Sequence, residues 1–488
     1  MKNKNFNNIL IVILSLGFFS CEDYVDYEAS EEYTIVADDY FKTSADYEAA
    51  LVGTYDVLQW NIYSIMIGDI ASDNSLCGGE SATDVVGLQK IDDMIHDPVN
   101  DQLTSTWKWM YEGINRANYL VENKDKIEFT RKAELFGEVQ FLRAYYYFEL
   151  VKIFGDVPLF TTSRLTAGDS ATLSRSPKAE VYAQIETDLL AAIAALPAAK
   201  STDGRATSFT AHALLGKVYL YQNKFNEAAN ILEPLIGLYT LPANPQDVFL
   251  TSGENGPESV FEVQHSKNSN WWDWGFPQGS EGSFGIIHHG IRGYNGTVYA
   301  QGWSFNLPSK DLFDAYTDGD KRKKTAVLDI AAWATATGAE YTNGYEHTGY
   351  FNHKYIPRVG ASAAQQELNY ETNYRAIRYA DVLLMAAEAN NRKSASDDTK
   401  AQNYLNQVRA RAFGNSSQAS SSSGATLTSE IWEERRLELA MEGQRFFDLV
   451  RTGEAATKIS GFVAGKHEVF PIPQTEIDIS GLTQNSGY

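Results

Sequence analysis

Between residues 104 and 154 the apolar positions recur at three- and four-residue steps, and this periodicity constrains the chain more than any other feature. Trp107, Tyr111, Ile114, Asn118 and Val121 mark one helical face, and Leu135, Val139, Leu142, Tyr146, Leu150 and Ile153 mark the next. Gly155-Asp156-Val157-Pro158 stops the second helix, since proline brings no N–H and restricts the residue before it. Ser176-Pro177 opens a further helix through Tyr182, Ile185 and Leu189, closed by Leu196-Pro197. Residues 209–221 and 225–238 read as two helices joined by the turn Gln222-Asn223-Lys224, and 373–390 with 401–412 as another pair. Thr428 or Ser429 is expected to cap a last long helix, with Glu430 near its positive end. A chain patterned in this way is mainly α, its helices burying one face against one another.

The helix holding Leu214-Leu215-Gly216-Lys217-Val218-Tyr219-Leu220, followed by Phe225-Asn226-Glu227-Ala228-Ala229, resembles a tetratricopeptide repeat. In such repeats small residues let antiparallel helices approach, and stacked pairs bury a shared core. Between residues 255 and 370 the helical pattern stops. That stretch is rich in Gly, Asn, Ser and aromatics, with strand-like pieces at 259–265 and 354–357. A helical scaffold over 40–254 and 371–488, interrupted by an irregular insertion at 255–370, predicts one body, with the insertion as its ligand face. The serine run 416–423 reads as a solvated loop.

Lys2 and Lys4 open the chain, and an apolar run from Ile9 to Phe19 follows, too short to span a bilayer and suited to a signal-peptide core. It ends in Leu16-Gly17-Phe18-Phe19-Ser20-Cys21, which resembles the lipobox of bacterial lipoproteins. The resemblance implies that residues 1–20 are removed and that Cys21 is lipidated, tethering residues 21–488 to a membrane without a transmembrane helix. The formal charge of −22 argues against nucleic acid as a partner and against adhesion to anionic lipid. With Cys21 lipidated, Cys77 stands alone, which leaves no intramolecular disulfide and no cysteine metal site.

Four further stretches carry a more specific likeness. They are Arg143-Ala144-Tyr145-Tyr146-Tyr147-Phe148 running to Phe154-Gly155-Asp156-Val157-Pro158-Leu159; Asn373-Tyr374-Arg375-Ala376-Ile377-Arg378-Tyr379-Ala380-Asp381 with Leu405-Asn406-Gln407-Val408-Arg409; Glu433-Glu434-Arg435-Arg436-Leu437-Glu438 through Gly443-Gln444-Arg445-Phe446-Phe447-Asp448; and Phe470-Pro471-Ile472-Pro473. Together with the lipobox, and in this order, they resemble the starch-utilisation SusD/RagB family of Bacteroidota outer-membrane lipoproteins. The resemblance implies a SusD-like domain with tetratricopeptide-like helix pairs and a partner, a SusC-like TonB-dependent transporter that the lipoprotein covers as a lid. Family members capture glycans, and a minority bind peptides. Glu22-Asp23 looks like the acidic signal that sends such lipoproteins to the cell exterior.

Arg435, Glu438, Glu442 and Arg445 fall on one stripe of the expected last helix. A glycosidase needs two carboxyl groups, one with a raised pKa, whereas each glutamate here has an arginine three residues away that favours its ionised form. An ion-pair network is expected instead. His288-His289 and His353 lack a His-Glu-x-x-His pattern, and no nucleophile elbow or phosphate-binding loop is present. The chain is therefore read as a binding protein without a cofactor. Its many carboxylates would suit structural calcium, though no Asp-x-Asp-x-Asp-Gly loop exists to place it.

Residues 271–303 hold eight aromatic residues, Trp271, Trp272, Trp274, Phe276, Phe284, Tyr294, Tyr299 and Trp303, interleaved with eight glycines. Glycine-rich backbone cannot easily bury a continuous core stripe. Flat rings on it can present a platform to the apolar faces of sugars, with Asp273, Gln278, Arg292 and Asn295 reading the hydroxyls. About half of the rings are assigned to the core and half to the site, with Trp271, Trp272 and Trp274 foremost and Tyr299 and Trp303 beside them. Asp73 and Asn74, in the loop from Asp69 to Gly79, form a candidate second wall, and Trp333 and Tyr345 are weaker candidates. Few lysines or arginines lie near the tryptophans, which favours a neutral glycan, first the curved β-glucan laminarin, with peptide capture as the alternative and glycoside hydrolysis third.

Overall fold

The computed structural model describes residues 40–488 apart from 61–62, 167, 170–172, 200–201, 269–279 and 364–365. Its first part consists of α1 (Ser44–Trp60), α2 (Tyr63–Ile70), β1 (Ser75–Gly78), α3 (Val86–Asp92), α4 (Asp101–Glu122), α5 (Lys132–Phe154), α6 (Lys178–Ala195), α7 (Ser208–Tyr221) and α8 (Phe225–Leu232). Asn100 starts α4: its Oδ1 accepts from the N–H of Gln102 and of Leu103, while its Nδ2 donates to the Gly87 carbonyl. Thr207 and Thr210 form a reciprocal capping box at the start of α7. α5 packs between α4 and α6, and α7 packs on α6 and α8. Small residues set the approach. A Cβ at Gly216 would lie 2.3 Å from the Leu232 side chain, and one at Gly113 would lie 2.4 Å from the Tyr146 ring. α8 stops six residues short of the expected end, because Pro234 breaks the ladder and Glu233–Leu235 continues only as a 3₁₀ turn.

The irregular region contains β2 (Ser259–Val263), α9 (Gly285–His288), β3 (Phe305–Pro308), α10 (Lys310–Ala315), α11 (Arg322–Ala326), β4 (Val327–Asp329), α12 (Ile330–Thr337), β5 (Tyr350–Asn352), β6 (Ser362–Ala363) and β7 (Gln366–Tyr370), and β8 (Tyr374–Arg378) follows. The described strands pair antiparallel as β1–β3, β2–β8, β4–β5 and β6–β7. In β1–β3, Leu76 faces Leu307, which ties the region to the loop after α2. β8 overturns part of the expected 373–390 helix. Arg375 to Arg378 are buried on both faces, a pattern that cannot separate strand from helix, and pairing of Phe261 with Ile377 decides for the strand. The strand expected at 354–357 is absent; Tyr350–Asn352 pairs with β4, and Lys354 turns inward to the Glu442 carboxylate at 2.6 Å.

The last part comprises α13 (Tyr379–Arg392), α14 (Asp398–Phe413), α15 (Gly424–Glu438), α16 (Arg445–Thr452), α17 (Ala455–Lys458) and α18 (Gln474–Ser480). α13 lies against α8, α14 and α15. α15 begins at Gly424, whose N–H donates to Asp398, rather than at Thr428 or Ser429, whose hydroxyls bond back to carbonyls one turn earlier. It ends at Glu438, so the stripe from Arg435 to Arg445 is not one helix. The ion pairs form across elements instead. Arg378 lies 2.6 Å from Glu438 and 2.7 Å from both Glu258 and Glu442, Arg411 joins Glu258 and Glu438, and Arg322 joins Glu434 and Glu438. Arg435 holds Asp381 and Asp448. Burial works to raise the Glu438 carboxyl, but Arg411, Arg378 and Arg322 outweigh it and hold it well below the usual range. A carboxylate so held is no general acid. One apolar core runs through α1 to α8, β2, β8 and α13 to α16, and a smaller cluster around Tyr299, Phe351 and Ile356 supports the irregular region.

Candidate ligand-binding face

Trp271, Trp272, Asp273 and Trp274 lie outside the described residues, as do Phe276 and Gln278. The chain on either side of them is well fixed. The Ser266 N–H donates to the Glu281 carbonyl at 2.8 Å, the Ser280 hydroxyl donates to Asn369 at 2.9 Å, and the Ser283 N–H donates to the Tyr370 carbonyl at 2.8 Å. Four residues after Ser280 the chain enters a group of rings. Phe284 meets His288 and the edge of Tyr63, Tyr63 stacks on Trp109 at 5.8 Å, and His288 stands edge-on to Trp303 at 4.8 Å. Phe284 and His288 are buried, whereas Tyr63 and Trp303 are half-buried.

Beside Trp303 three loops meet. The Gly79 N–H donates to the Ser304 carbonyl, the Ser304 hydroxyl donates back to the Gly79 carbonyl, and the Tyr345 N–H reaches the same oxygen. Gly344 permits this approach, since a Cβ there would lie 2.4 Å from the Ser304 hydroxyl. Arg292 sits at the junction. Its guanidinium donates to the Trp303 carbonyl at 2.9 Å and to the Ser304 hydroxyl at 3.2 Å, and lies 3.6 Å from Glu80 and 3.7 Å from Asp84. The junction thus combines the half-buried Trp303 with a guanidinium held on its backbone carbonyl and two carboxylates beside that guanidinium, the kinds of group that meet a ligand with an apolar face and hydroxyls. Glu80, Asp84 and Tyr63 were not singled out in the sequence. The signal for the first two is the polar run Glu80-Ser81-Ala82-Thr83-Asp84 that directly follows Gly78-Gly79.

Other expected site residues turn inward. Tyr299 is only 3% exposed; its hydroxyl meets His353 at 2.9 Å, and its ring packs with Tyr294 and Trp333 under Arg358. It fills the core of the irregular region. Asn74 is fully buried and accepts from Arg436 at 2.9 Å. Asp73 receives both prongs of Arg445 at 2.7 and 2.8 Å. The loop from Asp69 thus joins the irregular region to α16, and its walls face the protein. Nearby, burial pushes Asp69 up to about 7 against hydrogen bonds from Asn306 and Gly443. Burial likewise pushes Asp92 up to about 7, opposed by the Cys77 N–H and reinforced by Glu346. Among the described residues no three His, Cys, Asp or Glu side chains converge to hold a metal ion.

Comparison with known proteins decides the family. Residues 329–469 match the model of the SusD family, and residues 28–220 match a model described as starch-binding associating with outer membrane. A solved laminarin-binding SusD-like protein is 36% identical and superposes with a TM-score of 0.83, covering 92% of this chain and all of its own. The chain belongs to the SusD family. Other members align over most of its length. SusD-like protein P2 of Formosa agariphila is 27% identical over 98% of this chain and 99% of its own. Surface glycan-binding protein A of Bacteroides thetaiotaomicron, solved in complex with laminarihexaose, is 27% identical with a TM-score of 0.79, over 91% of this chain and 99% of its own. The SusD fold here is mainly α, with tetratricopeptide-like pairs of the kind formed by α7 with α8 and α13 with α14.

Proposed function

We propose that this SusD-family chain is a cell-surface glycan-binding lipoprotein. It captures a neutral β-glucan such as laminarin and hands it to a SusC-like TonB-dependent transporter, with binding and transfer as its whole mechanism. The observation that carries the reading is the full-length likeness to a laminarin-binding SusD-like protein. The junction at Trp303 and Arg292 supports it, since it brings a half-buried indole together with a donor and carboxylate acceptors. In this reading Trp271, Trp272 and Trp274 extend the platform with Asp273, the lipid on Cys21 holds residues 21–488 at the outer membrane, and the transporter docks beneath. Affinity per site is modest, and long polymers gain retention by meeting many tethered copies.

The test is isothermal titration of residues 22–488 against neutral β-glucan, α-glucan, mannan and alginate. Binding to a β-glucan, lost in folded Trp271→Ala, Trp272→Ala or Trp274→Ala variants, is the expected result. Silence across the panel with the protein folded would overturn the glycan reading and turn the search to peptides.

A further inference from the structure

A second concavity lies beside the stems of segment 269–279. It is a cleft of about 510 Å³, a size typical of small-ligand sites, and α1 lines it with Val52, Gly53 and Asp56. Arg205, Gln264 and Glu281 complete the lining that matters here. Glu281 is the residue whose carbonyl closes the stem with Ser266, so the cleft starts at the base of the aromatic segment and runs along α1.

Gly53 is the first indication of use. Glycine inside a helix destabilises it relative to alanine, and it is normally kept where packing demands it. Packing does not demand it here. A Cβ at position 53 would find only the Arg116 guanidinium, at an ordinary 3.8 Å, whereas Gly113 and Gly216 sit in approaches below 2.5 Å. Bare backbone at position 53 keeps the cleft wall low. The chemistry of the lining is the second indication. Asp56, paired with Arg116 at 3.1 Å, and Glu281, which accepts from Gln59 at 3.4 Å, keep further lone pairs for hydroxyl donors, whereas Glu262 is buried and accepts from Asn255 and Asn373. The guanidinium of Arg205 is already held by Glu48 and Glu138 and lies over the Tyr55 ring. Such a lining repels anionic polymers and accepts from hydroxyl groups. Val52, 51% exposed, adds an apolar shoulder.

We propose that the cleft along α1 is a second carbohydrate subsite, which takes further residues of a neutral, hydroxyl-rich chain held at the ligand face. The proposal rests on the glycan reading, and one experiment separates the two. Residues 22–488, unmodified and as Gly53→Met, are titrated with a disaccharide and with a hexasaccharide or longer oligomer of the bound glucan. Methionine is a good helix former, so the fold is retained while the side chain fills the cleft. Gly53→Met is expected to weaken the long oligomer about tenfold and to leave the disaccharide unchanged, because only the long ligand engages both subsites. Val52→Arg, at an exposed position, should do the same, and Gly53→Ala should change neither. Equal affinities for the long oligomer in the unmodified and Gly53→Met proteins would overturn the subsite while the glycan reading stands. Equal loss for both ligands would overturn it as a separate subsite. No binding by the unmodified protein would remove both.

Discussion

Asp73 and Arg445 meet through two parallel N–H···O bonds of 2.7 and 2.8 Å although 372 positions separate them in the chain. Their side chains are 12% and 7% exposed, so the pair works in a mostly dry joint between the loop after α2 and the start of α16. Removing one partner leaves the other charge uncompensated. Asp73→Ala is expected to lower unfolding free energy by about 3 kcal/mol, read by urea denaturation. Glycan affinity of the folded fraction should stay within error of the unmodified protein; a clear loss would return Asp73 to the ligand face.

Trp303 and Tyr299 should part company when each is altered. Trp303→Ala removes the indole plane, and Arg292→Ala removes the donor held by the Trp303 backbone carbonyl and the Ser304 hydroxyl. Each should weaken glycan binding by about tenfold, equivalent to about 1.4 kcal/mol. Tyr299→Phe loses the hydroxyl that meets His353 and Arg358, so it should cost about 1 kcal/mol of stability and leave titration curves unchanged. An affinity loss in Tyr299→Phe with none in Trp303→Ala would reverse the assignment.

Asp69 ties Asn306 to Gly443, each donating to it at 3.0 Å, yet burial pushes its carboxyl up to about 7. The unfolded value is about 3.9, so the folded protein keeps a proton that the unfolded chain releases between the two. The resulting stability is fully present below the unfolded value and is lost as pH rises through 7. Asp69→Asn cannot titrate. The stability of the natural protein minus that of Asp69→Asn should therefore fall steadily from pH 4 to 8, by up to about 4 kcal/mol. A flat difference across that range, measured by chemical denaturation, would show that Asp69 is charged throughout.

The helical body was legible because helix period, proline stops and small-residue approaches are local signals. Gly216 announces the close packing of α7 on α8, and Pro158 and Pro197 follow the ends of α5 and α6. The misreadings arose where a distant partner decides. Tyr374–Arg378 carries helix-compatible residues but pairs with β2, and Lys354 leaves the expected strand to reach Glu442. At the candidate face, the aromatic density of residues 271–303 marked a stretch whose foremost candidates, Trp271, Trp272 and Trp274, lie outside the described residues. It could not tell Tyr299, which a cluster of rings and His353 draws inside, from Trp303, which remains half-buried. Asp73 and Asn74 looked like hydroxyl readers because their arginine partners, Arg445 and Arg436, lie more than 360 residues away.

The C-terminal Tyr488 is locked by histidine, which gives the opposite pH dependence from Asp69. Its hydroxyl donates to the Val469 carbonyl at 3.0 Å and so accepts from His96 Nε2 at 2.7 Å, which places the His96 proton on that nitrogen. Burial, with His467 and Lys466 nearby, pushes His96 down to about 3. Below about 6.5 the unfolded segment takes up a proton that the folded one refuses, so the stability is present in full above that value and is lost as pH falls toward 3. At pH 5 the loss amounts to about 2 kcal/mol. Hydrogen exchange over residues 463–488, corrected for intrinsic rates, should accordingly show opening about thirtyfold more frequent at pH 5 than at pH 7. His96→Phe keeps the ring position beside Phe470 and cannot be protonated, so its opening should respond clearly less to pH, with only the share left that belongs to His467, whose pKa burial and Lys466 also lower. If both proteins responded alike, the acid sensitivity of this end would belong to another group.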